Sequence, residues 1–193
     1  METHWADIAS GKIVVLLEDE SHLLWGDVCG CVWGQRNHAI PIPITNKRLR
    51  QTYYGAVNLL THQFHLEGYP AGNAKHTVAY VKVMQKLYPK AKLWFLWDGA
   101  SYHRFAEMRD YLAEINAGLE EADWRVTCIL LAPNAPEQNP VEDIWLKGKN
   151  WLRKHFAQNK SFAQIKQCFW AHLKDQFFDS AKFAWYLPDP QLI

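Results

Sequence analysis

Two short, nearly unbroken apolar runs, 92–97 (KLWFLW) and 125–131 (RVTCILL), flank a stretch with helical spacing, and this order restricts the fold more than any other feature. Runs of that length and composition read as strands buried on both faces. A helix joining two buried strands is a crossover, so the two strands lie parallel in one sheet. The intervening helix takes Ser101 as its cap, Phe105, Met108, Leu112 and Ile115 along one side, and Gly118 as its stop. Upstream, Asn73 caps a helix carrying Val78, Val81, Met84 and Tyr88 on its apolar face.

Before Asn73 the pattern changes. Residues 12–18 (KIVVLLE), 30–36 (GCVWGQR) and 52–60 (TYYGAVNLL) read as three strands, the last two separated by the proline-interrupted PIPITNKRLR. Short links suit an antiparallel meander. After the second parallel strand, the loop APNAPEQNP leads into helices over 140–156 and 161–178, the latter opened by a Ser161/Gln164 capping box. The predicted architecture is α/β, a mixed five-stranded sheet of three meandering strands plus two parallel ones, flanked by helices. That order resembles the ribonuclease H-like fold. At 193 residues the chain is read as one domain over 1–193, with its core in 12–156 and a C-terminal helix at 161–178.

Three carboxylates sit where apolar runs end. Asp19 follows the first strand within Glu18-Asp19-Glu20, Asp98 follows the fourth, and Glu142 opens the helix after the proline-rich loop. Strand alternation sends Asp19 to one face and its two neighbours to the other, but spacing alone does not say which face is functional. Asp98-Gly99 also reads as a turn, although His103 and Arg104 follow it closely. With Asn139 as cap and Pro140 at the first helical position, Glu142 also suits a capping box, and Asp143 competes with it as a ligand. If one sheet edge gathers three acids, cations must neutralise them, and the chemistry expected there is metal-assisted phosphoryl transfer.

Net charge is only +1, but it is polarised. No acid lies between Asp143 and Asp175, a stretch carrying Lys147, Lys149, Arg153 and Lys154, which are candidates for holding phosphates. An ordinary solvated helix face accounts for the same residues. Cys29, Cys31, Cys128 and Cys168 form no CxxC pair and read as reduced thiols in a cytoplasmic protein. No apolar stretch reaches the roughly 20 residues that a membrane span needs, so no membrane partner is expected.

Three blocks then carry a family resemblance. EDESHLLWGDVCGCVWGQRN, DGASYHR and LAPNAPEQNPVEDIW resemble the first-Asp, second-Asp and last-acid blocks of the DDE transposase catalytic domain, of the mariner-related group found in bacterial insertion sequences. The third block is the most specific. The resemblance covers about 12–156 and implies Asp19, Asp98 and Glu142 as catalytic and metal-binding residues, with Asn139, Pro140 and Trp145 as framework. It implies two Mg²⁺ or Mn²⁺ ions and, as partners, DNA at transposon ends and target, with a homodimer in a synaptic complex. His103, Arg104, Lys147, Lys149, Arg153 and Lys154 are the expected DNA contacts. The DNA-reading helix-turn-helix half is expected from an upstream reading frame. Gly99, Ala135 and the long interval from Asp98 to Glu142 depart from the group's pattern. A catalytically inactive remnant that binds DNA or dimerises is the alternative, and a ribonuclease or resolvase of the same fold is a further one.

Overall fold

The computed structural model describes residues 2–29, 33–38, 41, 49–99, 105–132, 135–155 and 161–188. A short helix α1 (Trp5–Ala9) precedes strands β1 (Ile13–Leu24), β2 (Arg50–Asn58) and β3 (Phe64–Tyr69). Then come α2 (Ala74–Leu87), β4 (Lys92–Trp97), α3 (Ala106–Ile115), β5 (Val126–Leu130), α4 (Pro140–Lys154) and α5 (Phe162–Leu173). The sheet order is β3-β2-β1-β4-β5. β1, β2 and β3 pair antiparallel, and β1, β4 and β5 pair parallel. This is the predicted mixed sheet.

The first half of the strand assignment needs correction. β1 does not stop at Glu18 but runs through the acids to Leu24, because β2 supplies partners along that whole length, from Leu16↔Asn58 to Leu24↔Arg50. Within residues 30–36, the described residues 33–36 are not strand. The third member of the meander is instead Phe64–Tyr69 (FHLEGY), a run of six in which apolar Phe64 and Leu66 alternate with His65 and Glu67. The last helix ends at Leu173 rather than 178. Asp175 turns the chain at φ 56° and Phe177 bridges back to Gln63. Ser101 lies outside the described residues, and Phe105 is the cap position of α3.

Alternation along the sheet sorts the core into two layers. Ile13, Val15 and Leu17 face α4 and α5, packing with Val141, Ile144, Trp145 and Phe169. Val14 and Leu16 face α2 and α3, packing with Tyr80, Val81, Met84 and Met108. Asn73 caps α2 as expected, accepting from the His76 N–H at 3.0 Å.

Candidate active site

β1 and β4 run parallel with Ile13 opposite Lys92 and Leu17 opposite Leu96. Asp19 and Asp98 each follow two residues after that last pair, and Asp98 is near enough to act on the charge of Asp19. Asp19 has the parity of Leu17 and Val15, so it faces the α4 layer, whereas Glu18 shares the α2–α3 face with Leu16. Asp98 continues the parity of Leu96, again toward α4, and is exposed just past the end of β4.

The start of α4 is fastened to the same stretch of β1. Asn139 caps the helix by accepting from the Val141 N–H at 3.1 Å, while its own Nδ2 donates to the Glu18 carbonyl at 2.8 Å. Five residues into the helix, Trp145 Nε1 donates to Asp19 Oδ2 at 2.9 Å. These two bonds hold the first turn, with Glu142 exposed on it, beside Asp19. Burial raises the Asp19 pKa well above the ordinary carboxylate range, with Glu142, Glu20 and Asp98 adding to the rise and the Trp145 bond opposing it. Glu142 and Asp98 are therefore both close enough to Asp19 to act on its charge.

Trp145 reaches Asp19 because of a glycine. Gly55 stands opposite Asp19 on β2, and a Cβ there would collide with Phe64 and lie 2.6 Å from Trp145 Cη2. The indole occupies the space that any other residue would fill. An isolated glycine inside a strand signals such close approach, which is the one mark that Gly55 leaves in the sequence.

The competing acids are placed elsewhere. Asp143 Oδ1 pairs with Lys182 at 3.0 Å and its Oδ2 accepts from Ser180 at 3.4 Å. The chain after α5 thus returns as a strap, a 3-10 turn over Ala181–Tyr186, across the entry to α4. Tyr186 donates to the Gln138 carbonyl at 2.7 Å, and Phe183 is buried and stacks on His62. Nothing in the apolar pattern announces this strap.

The candidate phosphate-binding residues divide between two sides of α4. Lys149 and Arg153 lie on the stripe of Glu142 and Leu146, at helical spacings of four, seven and eleven residues. Lys147 and Lys154 lie on the stripe of Asp143, and Lys147 turns to the Asp179 carbonyl at 3.1 Å. Lys149 is 3.7 Å from Asp27, and Arg153 donates to Asn150 at 2.8 Å. His103 and Arg104 lie outside the described residues.

The donor set suits a hard divalent cation, since all its atoms are carboxylate oxygens and the Trp145 bond leaves Asp19 Oδ1 for a ligand. Among the described residues, no three His, Cys, Asp or Glu side chains converge into a ready-made metal cage.

The family profile of the DDE superfamily endonucleases matches residues 14–166. No curated protein matches the sequence. Among solved structures, the chain is similar to the Mos1 transposase paired-end complex with left transposon end, at 14% identity and TM-score 0.59, covering 96% of this chain and 53% of that one. The catalytic domain of Mos1 mariner transposase gives 12% identity and TM-score 0.53, covering 96% and 79%. The simian T-cell lymphotropic virus intasome in complex with PP2A regulatory subunit B56 gamma gives 10% identity and TM-score 0.55, covering 81% and 47%. The chain spans about half the length of the first and third of these. The shared fold is the ribonuclease H-like one.

Proposed function

We propose, from the premise that the chain belongs to the DDE superfamily of endonucleases, that it is a transposase catalytic domain which cleaves DNA and transfers the freed end to a target. The observation carrying this reading is the joint placement of the acids. Supporting it, Asp98 and Glu142 both act on the charge of Asp19, and the bonds from Asn139 and Trp145 set the first turn of α4 against Glu18 and Asp19. Relatives of the same fold support it, one being a transposase bound to a transposon end and another a catalytic domain with manganese.

Asp19, Asp98 and Glu142 would hold Mg²⁺ or Mn²⁺, two ions in this class of site. When bound, the ions lower the pKa of an attacking water and stabilise the leaving 3′ oxygen. Asp19 is central because it lies between the other two elements and Trp145 fixes its orientation through Oδ2. Lys149 and Arg153, half-buried on the stripe of Glu142, would hold phosphates of the bound strand without reading sequence. The chain would act in the cytoplasm on bacterial DNA, as part of a synaptic dimer.

Nicking of supercoiled plasmid in Mg²⁺ or Mn²⁺ tests this. Asp98→Asn should abolish nicking while leaving the fold intact by circular dichroism, and retained nicking would remove Asp98 from the site. Isothermal titration with Mn²⁺ addresses the inactive-remnant reading, because a remnant with a broken site takes up no metal.

A further inference from the structure

Thirty residues of the chain, 68–97, contain no aspartate or glutamate but carry Lys75, Lys82, Lys86, Lys90 and Lys92. The fold gathers them. On α2, Lys75, Lys82 and Lys86 recur at spacings of seven and eleven residues, which places them on one stripe, and all three are exposed. The opposite side of the same helix buries Tyr80, Val81 and Met84, so the lysines have no role in its packing core. At the end of the stripe a cavity of about 640 Å³ opens between α2 and the starts of β4 and β5. Lys82, Lys86, Lys90, Lys92 and Arg125 line it against one carboxylate, Asp123. That acid is occupied, since Lys92 holds it at 2.8 Å. Lys82 sits over the Tyr111 ring, 4.9 Å from its centre.

We infer that this stripe and cavity form a second DNA-backbone contact, separate from the catalytic acids and blind to sequence. The position excludes a share in the chemistry. α2 covers the sheet face opposite α4, and the cavity lies at the start of β4, about 20 Å along the strand from Asp98. A run of cations with its single acid already paired matches a repeating polyanion better than a protein surface, which presents both signs. Helix C-termini favour lysines for their own dipole, and that accounts for Lys86, but not for Lys75 at the other end of the helix or for Arg125 on a different element. DNA as the polyanion rests on the function proposed above; the cationic surface itself does not. The stripe would engage duplex outside the cleft, adding affinity and holding the long substrate against the domain.

The test is fluorescence anisotropy of a labelled random-sequence duplex, in EDTA so that metal-dependent chemistry plays no part. The full chain is compared with Lys86→Glu/Lys90→Glu, both exposed positions whose change should leave the circular dichroism spectrum and plasmid nicking of a saturating substrate unchanged. Each phosphate contact contributes about 0.9 to the slope of log K against log salt, so the double variant should lose roughly 1.8 from that slope and bind at least about tenfold more weakly. Lys75→Glu should lower the slope further. Unchanged affinity and slope in both variants would overturn the inference. So would a loss seen equally with a short acidic peptide as competitor, which would mark a protein-binding surface. If nicking fails for the wild type while the slope still falls in the variants, the catalytic reading is lost and this one stands.

Discussion

Glu18 and Asp19 are neighbours in the chain and belong to opposite layers of the molecule. Glu18 is 1% exposed, under α2 and α3, and its pKa is raised well above the usual range by burial first, then by Glu20, Asp19 and Asp98. Asp19 is raised as well, yet a helix start stands over it that supplies a donor, Trp145, and a second acid, Glu142. One carboxylate is buried on the face that α2 and α3 cover. The other lies where a helix begins and the layer is open. The comparison teaches that the face of the strand, rather than the acid itself, decides which residue has reactive neighbours.

Charge removal on the two faces is the sharpest way to break this contrast. Asp19→Asn should lower metal-dependent nicking by about 10²–10³-fold, the loss typical when a group that serves transition-state charge is removed. Glu18→Gln should change nicking less than about threefold, by the same plasmid assay. Equal losses would mean that the two layers are not functionally distinct.

Gly55 sharpens the contrast through space instead of charge. Gly55→Ala puts a methyl into Phe64 and Trp145 and should cost about 1–3 kcal/mol, read from urea unfolding midpoints. It should also lower nicking, by pushing the indole off Asp19. Trp145→Phe keeps most of the ring and removes the N–H, so we expect about 1.5–3 kcal/mol at most and roughly tenfold weaker Mn²⁺ binding by titration. Unaltered Mn²⁺ affinity would show that the indole bond does not position Asp19.

The smallest effect separates the layers by pH. A raised folded-state pKa means that the fold favours the protonated acid. Its stabilising contribution is complete below the unfolded pKa, near 4, and is lost as pH rises through the folded value. Without metal, stability should therefore fall as pH rises above the ordinary carboxylate range, by at most about 1.4 kcal/mol per pH unit for each such group. Glu18→Gln should flatten part of that decline, and parallel wild-type and variant curves would show that Glu18 carries no such shift.

Elements defined by their own residues were readable from sequence. Lys92–Trp97 is a strand whose apolar run buries Leu93, Phe95, Leu96 and Trp97, and Asn73 and Asn139 mark their helix starts through side-chain oxygens. Elements defined by partners were not. The polar continuation of β1 past Glu18 exists because β2 lies beside it, and the short run Phe64–Tyr69 is held as a strand by its pairing with β2. The same division holds at the site. Asp19, Asp98 and Glu142 were marked by the ends of apolar runs, and Trp145 by its block. The hydrogen bond joining Trp145 to Asp19, the room left by Gly55 and the grip of Lys182 on Asp143 arise only when distant segments meet.

The strap over Ala181–Tyr186 has a kinetic consequence. It covers the entry to α4 through Tyr186, Lys182 and one buried side chain, Phe183, a small anchorage compared with the sheet. Peeling it away should therefore be the cheapest opening motion at the entry to α4. Deuterium should then enter the amides of residues 141–143 at the pace of that peeling, well before it enters β1 a few ångströms below.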